Sequence, residues 1–434
     1  MTFHDAFKEF CTKIEIDNYD EINKSVQEIV KKLNKEYYNL EDDGSSNSLL
    51  VGSMGRNTAI KNNSDIDLLF ILPQSIYEKY DNYDSNGQSS LLQELKNVLL
   101  ARYPKTDISG DGQVVDIEFE KFTVELVPAF KQIDGGFLYP DTHDGGTWQI
   151  ANPTKEIECA NVMNNDSNGT YINICKILRS WKNANSFIFS GILIDTLVYN
   201  HFMTHEKYTN YDYENYIEIL KEIFKEFSQF DKHTDSWYAM GSNSRIEDAG
   251  GNEFIDKAKQ SYEDIKSIYS CVDENLSILQ DVLGIDFPTL SVNENIDSKH
   301  KFIKGGAGEE FIENLYPVDI RYRLKIDCEV SQNGFRPFML SESNMARQWL
   351  SKNRTLKFFI KNTNCRKPYN VKWKIRNVGY VAKMKNMIRG EIIDDSEQHK
   401  EHTDFYGPHY VECYLIKNGI CVARDRIEVP ISNA

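Results

Sequence analysis

The sequence has no apolar run that approaches the roughly 20 residues needed to cross a bilayer. Its first ten residues, MTFHDAFKEF, also lack the basic start and the apolar stretch of a secretory signal. We therefore expect a soluble, cytoplasmic protein with no membrane partner. At 434 residues the chain exceeds the size at which a single core stops growing, so two or three domains are expected.

Cysteine is sparse, and the eight cysteines are scattered without a CxxC pair. This spacing argues against a zinc knuckle and against the disulfide frame of a secreted protein. His409, Cys413 and Cys421 come nearest to a zinc cluster, but nothing nearby supplies the fourth ligand of a tetrahedral site. His201 and His205 lie four residues apart without the glutamate of an HExxH motif, and we interpret them as surface histidines.

Basic residues are outnumbered over the whole chain, which has a formal net charge of −16. The stretch Ser331–Gly390 reverses this balance, because it holds 14 basic residues and a single acid, Glu342. Such a stretch favours an anionic or nucleotide ligand in the C-terminal region. A solvated basic surface docked on the acidic remainder of the chain explains it equally well.

The hydrophobic periodicity changes along the chain. Apolar residues at helical spacing predict helices at Asp20–Tyr37 and Leu91–Leu100. Short alternating or β-branched runs predict strands at Ser48–Gly55, Asp65–Leu72, Val114–Phe119 and Phe122–Phe130. From Thr170 the period becomes helical, and beyond Pro317 a series of short, turn-separated runs indicates an all-β sandwich.

These patterns predict an α+β protein. We place a first lobe built on a mixed sheet at residues 1–160 and a helical second lobe at residues 161–290. A linker at residues 291–316 leads into the β-sandwich domain at residues 317–434.

The segment Gly52–Leu69, GSMGRNTAIKNNSDIDLL, carries the strongest chemical signal. Asp65 and Asp67 lie two residues apart on a predicted strand, so their side chains point to the same face. Two carboxylates this close resist joint ionisation unless they share a cation. Oxygen ligands suit Mg²⁺ or Mn²⁺, which take their remaining contacts from water and substrate phosphates. The pair therefore predicts a divalent metal site.

A glycine and a serine, Gly52 and Ser53, end the preceding predicted strand. Glycine lets the backbone approach a triphosphate and serine adds a hydroxyl donor, so the turn is a candidate phosphate-binding site. Arg56 and Thr58 lie close enough in sequence to assist it. Either could instead be a structural hydrogen-bonding residue.

A third carboxylate is required to deprotonate an attacking hydroxyl and to complete the metal site. Glu125 is the first candidate, since it is one polar residue within an apolar strand. Asp116 is its rival, because a two-residue turn at Glu120 and Lys121 would set it opposite Glu125. With three acids, two metal ions about 3.5 to 4 Å apart could activate a ribose hydroxyl and neutralise a leaving pyrophosphate.

Together these residues resemble the polymerase β-type nucleotidyltransferases, and specifically the bacterial cGAS/DncV-like nucleotidyltransferases, or SMODS proteins. GSMGRNTAIKNNSDIDLLFIL resembles the family's GS…D[DE] signature, and VELVPAF resembles its third-carboxylate strand. The resemblance implies a polymerase β-like palm for the first lobe. One departure is that many relatives carry aspartate where this sequence has Glu125.

The resemblance continues through the rest of the chain. WQIANPTKE resembles the segment that connects the two lobes, where Asn152 and Thr154 are candidate base contacts. ICKILRSWK and SFIFSGILIDTL resemble the helical pair that contacts triphosphate in relatives, which implies this role for Arg179 and Ser190. Lys182, beside Trp181, is a further candidate. Residues from about Gly308 onward resemble the family's C-terminal sensor domain.

The family implies synthesis of a cyclic di- or trinucleotide from ATP, GTP or pyrimidine triphosphates in anti-phage defence, with a separate effector that responds to the product. Two alternatives stay open at this point. One is a template-independent enzyme that makes linear oligonucleotides or tails RNA with the same carboxylates. The other is a catalytically silent module that senses nucleotides.

Overall fold

The computed structural model describes residues 1–62, 65–133, 135–290, 310–332, 336–341, 350, 352–377, 382, 384, 389–403 and 407–431. The chain forms two compact units, residues 1–185 with 189–291, and residues 186–188 with 292–434. Most of the predicted linker lies outside the described residues. Among the described helices, none combines the length and the apolar character needed to span a bilayer.

A mixed seven-stranded sheet forms the first part of the larger unit. Its strands are β1 (Ser48–Leu50), β2 (Asp65–Ile71), β3 (Asp107–Asp111), β4 (Val114–Glu118), β5 (Thr123–Lys131), β6 (Phe137–Asp141) and β7 (Thr147–Ala151). The order is β1-β2-β5-β4-β3, with β6 pairing with β5 and β7. Strands β2 and β5 run parallel, whereas the other pairs are antiparallel.

Some of the first five helices cover one face of this sheet. The first helices are α1 (Phe3–Ile14), α2 (Tyr19–Tyr38), α3 (Gly52–Gly55), α4 (Gln74–Asp81) and α5 (Gly87–Leu100). Ile66 and Leu68 of β2 and Leu126 of β5 are buried in the core that α2 and α5 complete. The residues of β2, β4 and β5 that face this core alternate along each strand, so every second side chain points away from it.

The first predicted strand is longer than the observed one. β1 ends at Leu50, and Gly52–Gly55 turns into the short helix α3 instead of continuing as strand. Gly52 has a φ of 59°, a left-handed conformation that turns the chain sharply and that glycine adopts without strain.

Helices make up the second part of the larger unit. They are α6 (Pro153–Asp166), α7 (Thr170–Ala184), α8 (Gly191–Met203), α9 (Tyr216–Phe227), α10 (Phe254–Ile265) and α11 (Asp273–Leu283), with a small hairpin of β8 (Trp237–Tyr238) and β9 (Arg245–Ile246). Trp181 is fully buried here and donates its indole N–H to Ser261 Oγ at 2.8 Å. Helix α1 also packs into this region, where Phe7 and Phe10 contact Phe287 edge to face.

His201 is buried, so the prediction that it is a surface histidine is wrong. Its side chain is 1% exposed on α8. Burial is tolerated because both ring nitrogens have partners: Nδ1 lies 2.5 Å from Glu226 Oε2, and Nε2 lies 2.8 Å from the Tyr208 hydroxyl. His205 is half-buried and stacks on the His201 ring.

The smaller unit is a β-sandwich that follows the short helix α12 (Ile312–Leu315). Its strands are β10 (Leu324–Ser331), β11 (Phe338–Met339), β12 (Thr355–Thr363), β13 (Asn370–Asn377), β14 (Ile392–Asp395), β15 (Gln398–His402), β16 (Gly407–Lys417) and β17 (Ile420–Ile431). They form two antiparallel sheets, β11-β10-β12-β15 and β14-β13-β16-β17. Phe358, Trp373, Cys413 and Leu415 fill the core. The predicted α+β class with a C-terminal sandwich is confirmed.

Part of the basic stretch is compensated within this unit. Lys372 and Lys374 are buried on β13, where Lys372 Nζ lies 2.7 Å from Asp394 and Lys374 Nζ lies 3.3 Å from Glu412. Buried cations require such partners. These two positive charges are therefore paired with acids within the sandwich.

One buried histidine of the sandwich has acidic partners on both ring nitrogens. His399 lies between two carboxylates, with Nε2 at 2.8 Å from Glu401 and Nδ1 at 2.7 Å from Asp395. The hydrogen bond to Glu401 raises the pKa of His399 above its ordinary value of 6.5 despite burial. Arg389 pairs with the same Glu401.

We expect the stabilisation from His399 to be fully present below pH 6.5 and to be lost as the pH rises through the raised pKa of the folded protein. The free energy of unfolding, measured by urea titration between pH 5.5 and 9, should fall over this window in the parent. The difference in the free energy of unfolding between the parent and His399→Gln should show that pH dependence. A difference that is flat across the range would contradict the prediction.

Candidate active site

The three predicted acids share one face of the sheet. Asp65 and Asp67 on β2 point away from the core side chains Ile66 and Leu68, and both acids are half-buried. The parallel register of β2 and β5 sets Asp67 beside Glu125. Neighbouring strands lie about 4.8 Å apart, so the two carboxylates are adjacent. The catalytic role of the trio stays a prediction.

Asp116 lies in the same row of side chains. The antiparallel register of β4 and β5 pairs it with Glu125, and it too points away from the core. Asp116 is thus one strand further from Asp67 than Glu125 is, at a strand separation of about 10 Å. This arrangement favours Glu125 as the third acid beside the β2 pair.

The turn at Gly52 packs directly against Asp67. The backbone N–H of Val51 donates to the Asp67 carbonyl at 3.0 Å. A Cβ at position 52 would come within 1.7 Å of Asp67 Oδ2, so only glycine fits there. Ser53 follows, with its carbonyl accepting the backbone N–H groups of Thr58 at 2.9 Å and Ala59 at 3.2 Å. The candidate phosphate turn and the candidate metal ligands therefore form one site.

The donor set suits a hard divalent cation. Asp65, Asp67 and Glu125 offer carboxylate oxygens only, and they are half-buried, which leaves room for water or phosphate oxygens. The close approach of Gly52 leaves backbone and carboxylate next to each other without an intervening side chain. The residues present thus fit Mg²⁺ or Mn²⁺.

Three residues predicted to assist phosphate binding converge on a carboxylate that sequence reasoning missed, Asp195 of α8. Arg56 Nε and Thr58 Oγ1 each donate to Asp195 Oδ2 at 2.8 Å. Arg179 donates to Oδ1 at 2.5 Å and to Oδ2 at 2.9 Å. All four side chains are buried. The signal in the sequence was a single aspartate inside the apolar run ILIDTLV.

Asp195 is ionised although no part of it is exposed. Burial alone would raise the pKa of this carboxyl, but the charges of Arg179 and Arg56 outweigh burial and leave the pKa at about 2. Arg56 also reaches Glu156 of α6 at 3.3 Å, and Glu156 accepts the Ser242 hydroxyl at 2.7 Å. Burial raises the pKa of Glu156. Two arginines are thus matched by two carboxylates.

The remaining predicted contacts lie at helix ends. Ser190 directly precedes α8, and Lys182 lies in the last turn of α7. Asn152 caps α6 by accepting the backbone N–H of Lys155 at 3.4 Å, and Thr154 lies in the first turn of that helix. All four side chains are half-buried. Their contacts with nucleotide stay predictions.

Comparison with family models decides the family. Residues 1–164 match the Second Messenger Oligonucleotide or Dinucleotide Synthetase domain, and residues 307–432 match the Adenylyl/Guanylyl and SMODS C-terminal sensor domain. The chain belongs to the cGAS/DncV-like nucleotidyltransferases. The two domains of this family account for both the acidic site on the sheet and the C-terminal sandwich.

Two similar proteins are distant from this chain in sequence. A cyclic AMP-AMP-AMP synthase from Acinetobacter sp. (strain ATCC 27244 / 9458) is 22% identical over 251 residues, which are 55% of this chain and 66% of that protein. The E. coli MS115-1 CdnC:HORMA-deltaN complex is similar in fold, with a TM-score of 0.50 at 14% identity, over 66% of this chain and 98% of that one. At this identity the structural likeness shows the fold alone.

We expect Gly52→Ala to weaken Mn²⁺ binding, because the added Cβ would displace the Asp67 carboxylate. Isothermal titration calorimetry with Mn²⁺ on the full chain measures the effect. Gly145→Ala is the matched control, since Gly145 also has a positive φ, 92°, but no described atom lies within 4 Å of the position that its new methyl group would take. Both variants carry about 1 kcal/mol of backbone strain, so equal Mn²⁺ affinities would contradict the prediction.

Proposed function

We propose that the chain joins nucleoside triphosphates into a cyclic di- or trinucleotide second messenger and releases pyrophosphate. The observation that carries the proposal is the row of acids on one sheet face, with Asp67 in register with Glu125 and packed against Gly52. ATP is the first substrate to test, because a relative is named cyclic AMP-AMP-AMP synthase. GTP and pyrimidine triphosphates are the further candidates.

In the proposed reaction, a ribose hydroxyl oxygen of one nucleotide bonds to the α-phosphorus of another, and the bond from that phosphorus to pyrophosphate breaks. Asp65, Asp67 and Glu125 would hold two Mg²⁺ or Mn²⁺ ions, which supply Lewis-acid activation and charge neutralisation when bound. Glu125 takes up the hydroxyl proton. The Gly52–Ser53 turn and Ser190 hold phosphate oxygens, so positioning accounts for most of the catalysis.

The product is proposed to act in bacterial anti-phage defence by activating a separate effector. The C-terminal sensor domain is proposed to bind an anionic or nucleotide ligand. Its family description as a sensor and the basic stretch Ser331–Gly390 support this, although Lys372 and Lys374 are already paired within the sandwich.

The activity test uses radiolabelled triphosphates with Mg²⁺ or Mn²⁺, followed by phosphatase. We expect a product that resists phosphatase, because a cyclic nucleotide has no terminal phosphate. A ladder of products that keep their internal label but change mobility when phosphatase removes their 5′ phosphates would instead identify a linear oligonucleotide or tailing enzyme. A parent chain that consumes none of the triphosphates would identify a catalytically silent sensor.

The double variant Asp65→Asn, Asp67→Asn should abolish synthesis without lowering the melting temperature, because it removes like-charge repulsion at the site. Glu118→Gln is the control, since Glu118 lies on the same sheet face at the end of β4 and should leave synthesis unchanged. Synthesis at the parent rate in the double variant would reject the metal-ligand assignment.

A second pair of variants identifies the third acid. We expect Glu125→Gln to lower kcat by roughly 10²- to 10⁴-fold, the range for loss of a general base. Asp116→Asn should lower kcat by less than about tenfold, because Asp116 lies one strand further from Asp67 than Glu125 does. Steady-state kinetics on both variants measure the difference, and the opposite ranking would assign the role to Asp116.

A further inference from the structure

Asp195 occupies a place where packing alone would favour an apolar residue. It lies between Ile194 and Thr196 near the middle of α8, with no exposed surface. Four hydrogen bonds from three side chains converge on its two oxygens. A carboxylate accepts about four hydrogen bonds, and Asp195 is also fully buried, so its oxygens are occupied by protein donors.

The donors come from the two segments predicted to bind phosphate. Arg56 and Thr58 follow the Gly52–Ser53 turn, and the Thr58 backbone N–H holds the Ser53 carbonyl at 2.9 Å. On the other side, Arg179 uses the same guanidinium group to donate to the Gly191 carbonyl at 3.0 Å, next to Ser190. One carboxylate therefore connects the turn beside Asp67 to the start of α8.

The chemistry of the connection distinguishes positioning from simple packing. Replacing a buried ion pair by apolar residues of similar volume is often neutral or stabilising, so a charged network is not needed to hold two helices together. The network instead fixes the relative positions of its segments, because each donor must meet one of the two Asp195 oxygens at hydrogen-bond distance. The planar, rigid guanidinium group of Arg179 donates both to Asp195 and to the Gly191 carbonyl, so it fixes the distance between them.

We propose that Asp195 is a positioning residue of the active site, which fixes the Gly52–Ser53 turn relative to Ser190 so that both segments grip the same triphosphate. This inference rests on the proposed function and deepens it. Asp195 acts through Arg56, Thr58 and Arg179 and does not touch the reacting atoms.

The test measures the affinity of the full chain for a fluorescent ATP analogue with Mg²⁺, alongside product formation. Asp195→Asn should weaken ATP binding by about tenfold or more, since the loss of one hydrogen bond to a charged phosphate costs about that factor. Far-UV circular dichroism sets a temperature at which each variant is folded. Asp327→Asn is the matched control, because Asp327 is equally buried and pairs with Lys361 at 2.8 Å, but it lies in the sandwich.

A second arm tests whether Asp195 acts through Arg179. If it does, the double variant Asp195→Asn, Arg179→Gln should bind ATP no more weakly than the weaker of the two single variants. If the losses of ATP affinity in the two single variants add fully in the double variant, Asp195 does not act through Arg179. ATP affinity of Asp195→Asn within twofold of the parent would overturn the inference altogether, even if the variant is less stable.

The outcomes separate this inference from the proposed function. A parent that binds ATP but forms no nucleotide product overturns the proposed function, while a weaker affinity in Asp195→Asn still supports positioning. A parent that forms product with unchanged affinity in Asp195→Asn overturns positioning alone. A parent that neither binds nor reacts overturns both.

Discussion

The arrangement of the site depends on the alternation of side chains along β2 and β5. Ile66, Leu68 and Leu126 fill the core beneath the sheet, and this burial turns Asp65, Asp67 and Glu125 to the opposite face. A shift of either strand by one residue would bury the acids and expose the core, so hydrophobic burial itself enforces the position of the carboxylates. Their mutual repulsion is the cost that a divalent cation would offset.

The helical region adds a second constraint of opposite character. On the sheet, like charges lie half-buried beside a glycine turn. Around Asp195, opposite charges are buried and hydrogen-bonded to one another. The two clusters are linked through seven residues of chain, from Gly52 to Thr58, so the acidic face and the buried network belong to one unit.

In the sandwich, several basic side chains are paired with acids of the same unit. Its basic stretch suggested a ligand, yet Lys372 and Lys374 are buried against acids of neighbouring strands. His399 is likewise paired, although its acids Asp395 and Glu401 are near it in sequence. Formal charge along a sequence therefore overstates the charge that a folded domain offers to a partner, because cross-strand acids far away in sequence neutralise it.

The sequence by itself determined the α+β class, the sandwich, the strands that carry the acids, and the shared face of Asp65 and Asp67. These follow from periods of two and 3.6 residues, which are local properties of the chain. Only the tertiary structure decided that β2 and β5 run side by side, that His201 is buried, and that Arg56 and Arg179 meet Asp195. The last contacts join residues 139 and 16 positions apart. Such pairings depend on which helix faces which loop, and no local period encodes that choice.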